Sequence, residues 1–77
     1  MSKTSFSEQG LAALAQRFRK QADISRAQAA RDMEVSQTSI FHAEESPEHG
    51  LIKLRTRMIE TYSPFKVVGP VYLLKRK

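Results

Sequence analysis

Residues 24–45, ISRAQAARDMEVSQTSIFHAEE, spell two short helices separated by a tight break. Ser25 caps the first of them, and Gln28 three residues later completes a capping box on this reading. Ala30, Met33 and Val35 supply the small and apolar groups that bury around the turn. Ser36 restarts the chain as a second N-cap, and Ile40 and Ala43, three apart, share one face of the helix that follows. The opposite face is left with Gln37, Thr38, Phe41 and His42, exposed without a packing role. A short helix with hydrogen-bonding side chains near its N-terminus has the form that reading base edges in a major groove demands.

Working outward, Ser5 and Glu8 have capping-box spacing. Leu11, Leu14, Ala15, Phe18 and Ala22 then mark the stripe of an amphipathic first helix that Asp23 ends. After Ser46-Pro47, a fourth helix is predicted from Leu51. Leu51, Leu54, Met58 and Tyr62 form its stripe with Ile52 and Ile59 beside them, and Ser63-Pro64 stops it. Lys53, Arg55 and Arg57 read as solvated charge on its other faces. The tail changes character: FKVVGPVYLLKRK, residues 65–77, is rich in β-formers around Gly69-Pro70. A two-residue loop there pairs Val68 with Val71 and Phe65 with Leu74. Phe65, Val67, Tyr72 and Leu74 then share one face, and Val68, Val71 and Leu73 share the other with Lys66. One helical domain covers one such face only, so a second copy of the chain is the simplest cover for the other.

The 77 residues allow one small core that a partner subunit could complete. Thirteen Lys and Arg against eight Asp and Glu give a net charge of +5, which suits a polyanion. With no cysteine, a disulfide framework, a Cys-based zinc finger and thiol catalysis are all excluded. There is no run of about 20 apolar residues and no signal-peptide pattern, so a cytoplasmic protein without a membrane segment is expected. His42, Glu45 and His49 raise a metal site, but Pro47 breaks the helical register between them and no third strong ligand joins. No metal or cofactor is expected. Neither a Ser–His–acid spacing nor a glycine-rich phosphate loop occurs, and the chain does not read as an enzyme.

Residues 7 to about 62 resemble the helix-turn-helix domain shared by phage Cro and repressor proteins and their bacterial relatives. The likeness is carried by Ser25-Arg26, Ala29-Ala30, Met33, Val35, Ser36-Gln37, Ile40 and Glu44. It implies a mainly α fold, a four-helix helix-turn-helix DNA-binding domain over residues 1–63 with a C-terminal β-hairpin or strand for dimerisation over residues 64–77. It also implies base contacts at Gln37, Thr38 and His42, phosphate contact at Arg26, and an Arg19–Glu44 pair joining the first and third helices. Phe41 either joins the base readers through thymine methyls or turns inward to pack. Arg26 also combines its charge with the free N–H groups of a helix start. Ser36, Ser39 and Arg31 complete the expected phosphate contacts, Arg31 weighed against ordinary solvated charge.

The likeness has two departures. Glu34 stands where the family turn has Gly, at a cost of about 1 kcal/mol if the left-handed conformation is kept. No fifth helix follows, and the β-tail is instead similar to that of the Cro branch, whose strands pair two subunits. The expected dimer interface is Phe65, Val67, Val68, Val71, Tyr72 and Leu73. The expected function is therefore a homodimeric transcriptional repressor of phage or mobile-element type that occludes polymerase on a palindromic double-stranded operator. The rival reading is an antitoxin whose β-tail grips a protein partner. An RNA-binding or phage-structural adaptor is a third, but the aromatic platforms for single-stranded RNA are missing.

Overall fold

The computed structural model describes residues 5–68 and 72–77. The elements run β1 (Ser5–Phe6), α1 (Glu8–Gln21), α2 (Arg26–Met33), α3 (Gln37–Glu45), α4 (Ile52–Tyr62), β2 (Phe65–Val68) and β3 (Tyr72–Arg76). The fold is mainly helical, with four helices and a small antiparallel sheet among the described residues. Leu11 and Ala15 of α1, Ala29, Ala30 and Met33 of α2, Ile40 and Ala43 of α3, and Met58 and Ile59 of α4 form one buried core. Phe18, Val35, Leu51 and Tyr62 pack around it. Ala22, expected on the first helical stripe, lies past the end of α1 and is exposed.

Local signals set the helix boundaries. Ser7, not Ser5, caps α1, its Oγ accepting from the Gly10 N–H at 3.2 Å, because Ser5 is drawn into β1. Ser25 and Ser36 cap α2 and α3 as expected, accepting from the N–H groups of Gln28 and Ser39 at 3.1 Å each. The reciprocal half of the second capping box does not form. The Gln28 side chain instead donates to Asp32 and accepts from Arg31, neighbours on the same helix. Asp23 and Glu34 both adopt φ of 60° just after α1 and α2. Paired backbone bonds close each end: Asp23 N–H to Lys20 O and Ile24 N–H to Arg19 O, then Glu34 N–H to Arg31 O and Val35 N–H to Ala30 O. These are Schellman ends built without glycine, and the sharp reversal at Glu34 sets the angle between α2 and α3.

The tail joins the helices differently from the simple hairpin. Val67 pairs with Leu74, Val68 with Leu73 and Phe65 with Arg76, so four residues separate the Val68–Leu73 pair instead of two. The Gly69-Pro70 turn and Val71 lie outside the described residues. Because the slip is by two residues, each described side chain of β2 and β3 keeps the face expected of it. The shifted register sets Arg76 against the Phe65 ring, 5.6 Å from its centroid, and Phe65 itself lies 6.0 Å from Phe18. Val67, Tyr72 and Leu74 pack on the core, so the inner half of the expected dimer interface is used within the chain.

β1 was not legible as a strand. Ser5 pairs with Leu73 and Phe6 with Tyr72, which makes β3 the central strand in the order β1-β3-β2. Along β2, the Phe65 and Val67 N–H groups donate to Ser63 Oγ at 3.2 Å and Glu60 Oε2 at 3.0 Å. Edge pairing with a second chain through β2 would have to displace both side chains.

Candidate nucleic-acid interface

Two clusters of arginine fix α3 from behind. Arg19, buried in α1, binds Glu44 in a two-bond fork, Nε to Oε2 and Nη2 to Oε1, and its Nη1 holds the Ile24 carbonyl at 2.7 Å. The Glu44 side chain is fully buried, and this fork gives it the charge-assisted partners that burial demands. The expected Arg19–Glu44 pair is thus present, and it ties α1 to the C-terminal half of α3.

The second cluster corrects the sequence reading. Arg55, which reads from the sequence as solvated charge, is fully buried. Its guanidinium donates to the carbonyls of Ala43 (2.9 Å), His49 (2.8 Å) and Ser46 (2.8 Å), with His42 O at 3.4 Å. Helix C-termini leave carbonyls without intrahelical partners, and their partial negative charge attracts a cation. Arg55 supplies both the donors and the charge, so α4 staples the end of α3 and the 46–50 loop. A signal was available: Leu51, Leu54, Met58 and Ile59 stand at −4, −1, +3 and +4 from Arg55 and place it on the buried stripe.

With its back so held, α3 turns Gln37, Thr38 and Phe41 outward, all exposed. Phe41 does not rotate inward: it stays 44% exposed. Ser36 and Ser39 share a hydroxyl contact of 3.0 Å beside the free amides of the first turn. His42 is half-buried, its Nδ1 3.0 Å from Ser46 Oγ and its ring stacked on His49 with centroids 4.3 Å apart. It is therefore less available than the three N-terminal side chains. Arg31 is exposed on α2, bonded to Gln28. Arg26 is not free at the start of α2. Its Nε donates to Glu44 at 3.1 Å, its Nη2 donates to Glu45 at 2.8 Å, and its guanidinium lies 5.2 Å from the Phe41 ring centroid. An open groove of about 410 Å³ separates the starts of α3 and α4, lined in part by Val35, Ser39, Lys53 and Arg57.

The far end of α2 is tied to α4 by the Tyr62 hydroxyl, which donates to Asp32 Oδ2 at 2.6 Å. This bond, helped by one from Gln28, holds the Asp32 carboxyl below its ordinary range. Burial, and then the same bond, pushes the Tyr62 hydroxyl well above the usual tyrosine range. Since the Asp32 pKa is lower folded than unfolded, its contribution to stability is complete above the ordinary value of 3.8 and is lost as pH falls through the folded value. Tyr62→Phe is expected to bring the Asp32 titration, followed by carboxyl NMR, back up toward that value. The variant's melting temperature should depend less on pH below about 4 than the parent's. An unmoved Asp32 titration would contradict the bond.

No family model, curated protein or solved structure matches the chain. Among the described residues, no helix is long and apolar enough to cross a membrane.

Proposed function

We propose that the chain is a sequence-specific DNA-binding repressor in which α2 and α3 form a helix-turn-helix and α3 enters the major groove. The observation that carries this reading is the outward set Gln37, Thr38 and Phe41 on a helix whose other side is fixed by the Arg19–Glu44 fork and Arg55. A rigid, short helix with polar groups at its exposed N-terminal end is suited to base-edge readout. The net charge of +5 and the exposed Lys53 and Arg57, which stand at the groove beside Ser39, favour phosphate approach. The resemblance of residues 7–62 to phage Cro and repressor domains points the same way.

Gln37 presents its amide to adenine N6 and N7, Thr38 reaches a thymine methyl or a phosphate, and the hydroxyls of Ser36 and Ser39 meet backbone phosphate. Two subunits, joined by the outer face of the sheet, would set two such helices in successive major grooves about 34 Å apart. Occupying a palindromic operator would then exclude polymerase without any ligand pocket or further domain.

Gln37→Ala is expected to relax the preference at one base pair per half-site, at a cost of about 1–3 kcal/mol per lost bidentate contact. The fold survives because the side chain is exposed and bonded to nothing in the core. Selection from random duplexes with parent and variant checks this, and an identical consensus from both would remove Gln37 from the readout.

A further inference from the structure

Arg26 has two possible fates in a DNA-bound chain: to grip phosphate, or to hold a neighbour. Its surroundings favour the second. One carboxylate meets Nε and another meets Nη2, and Gln16 Nε2 fixes the second carboxylate by donating to the same Glu45 oxygen at 2.8 Å. Glu44 is shared with Arg19, so two arginines and two glutamates close into a neutral cluster. A phosphate approaching Arg26 would meet Glu45, whose side chain is 41% exposed. The guanidinium also lies over the ring of Phe41, 5.2 Å from its centroid. That contact explains why an aromatic ring stays out in water on this helix.

We infer that Arg26 is a positioning residue for Phe41, held off the phosphates by Glu44 and Glu45, and that Phe41 so held reads the C5-methyl group of thymine. The inference rests on the DNA-binding reading of α3. Thymine is the base whose major-groove edge offers an apolar group, and an exposed ring seated against the Arg26 guanidinium matches it. Glu45 then has a definite role: it sets the charge the α2 start shows to DNA, and thus the salt dependence of binding.

The probe is a duplex recovered with the full chain by selection from random DNA, prepared with thymine and with uracil, which lacks only the methyl group. For the parent, uracil at the Phe41 position should weaken binding about four-fold per half-site, the size expected for burying one methyl. Phe41→Ala should abolish that penalty. Arg26→Ala should shrink it while leaving the slope of log K against log salt unchanged. Glu45→Gln should steepen the slope by about 0.9 per subunit, as the freed Arg26 takes a phosphate. Arg26→Lys keeps the charge without the planar fork, and it too should lose the methyl penalty. Melting curves taken alongside confirm that each variant is folded.

Three results would overturn the inference. The first is a salt slope flattened by about 0.9 per subunit in Arg26→Ala with the methyl penalty intact, which makes Arg26 a phosphate clamp. The second is a parent chain indifferent to every thymine-to-uracil change. The third is a selection that recovers no preferred duplex, which removes the DNA-binding reading as well and is thereby distinguished from the other two.

Discussion

Arg55→Met is expected to lower the melting temperature by about 15 °C, the largest stability loss of any single replacement of a charged side chain considered for this chain. A domain of 77 residues commands roughly 4–12 kcal/mol in all, at ~0.05–0.15 kcal/mol per residue. Removing the guanidinium strands the buried carbonyls of Ala43 and Ser46, at about 1–3 kcal/mol for each that water cannot reach, and frees the part-buried one of His49. Methionine keeps the unbranched volume, so the loss reports the fork and not a cavity. Arg55→Lys should fall between the two, since one ammonium cannot span carbonyls at both ends of the 43–49 segment. Faster amide exchange at Ser46 and His49, whose N–H groups bond to His42 O and Ser46 O, should accompany the loss. A variant as stable as the parent would show that the carbonyls find other donors.

Val68→Lys is expected to yield a folded monomer whose operator affinity falls by a factor of 10²–10⁴, as an order of magnitude for uncoupling two half-sites. Val68 is exposed and pairs with Leu73 on the sheet face turned away from the helices, so the substitution spares the core. Lys66 and Lys75, directly opposite one another, extend the same face. A third and fourth lysine brought up by a two-fold partner lie near them unless Val68 and Leu73 sit at the axis, and a charge at Val68 destroys that arrangement. For the proposed dimer a face is favoured over the β2 edge, because the Phe65 and Val67 N–H groups along β2 are engaged by Ser63 and Glu60. Sedimentation and operator titration together check this. A Val68→Lys chain that still dimerises would move the interface to the helices. A parent chain that stays unstable until a second protein species is added would favour the antitoxin reading.

The parts of the fold that sequence makes legible are those with a repeating or capping signature. The four helices follow from apolar stripes and from Ser25 and Ser36. The left-handed turn at Glu34 was legible only through the resemblance, whose turn conformation is kept here without glycine. What escapes has no local signature. β1 is two residues long, and its pairing with Tyr72 and Leu73 depends on a contact across almost the whole chain. The hairpin register escaped because slips by two residues leave the face pattern intact, so patterning cannot choose between them. At the candidate interface, the exposure of Gln37, Thr38 and Phe41 was legible from Ile40 and Ala43, but the half-burial of His42 was not. The burial of Arg55 could have been read from its place on the α4 stripe, but its partners could not, nor could the capture of Arg26, since backbone carbonyls and carboxylates from other helices decide where each arginine goes.

The central claim is that α3 reads DNA as one of a symmetric pair. Binding-site selection from random duplex DNA with the full-length chain tests it most directly. Enrichment of an inverted repeat is expected, its half-sites centred one helical turn, about 10–10.5 base pairs, apart, with the half-site base assigned to Gln37 lost in Gln37→Ala. Recovery of no preferred sequence, or of a single unrepeated site bound by one subunit, would contradict it.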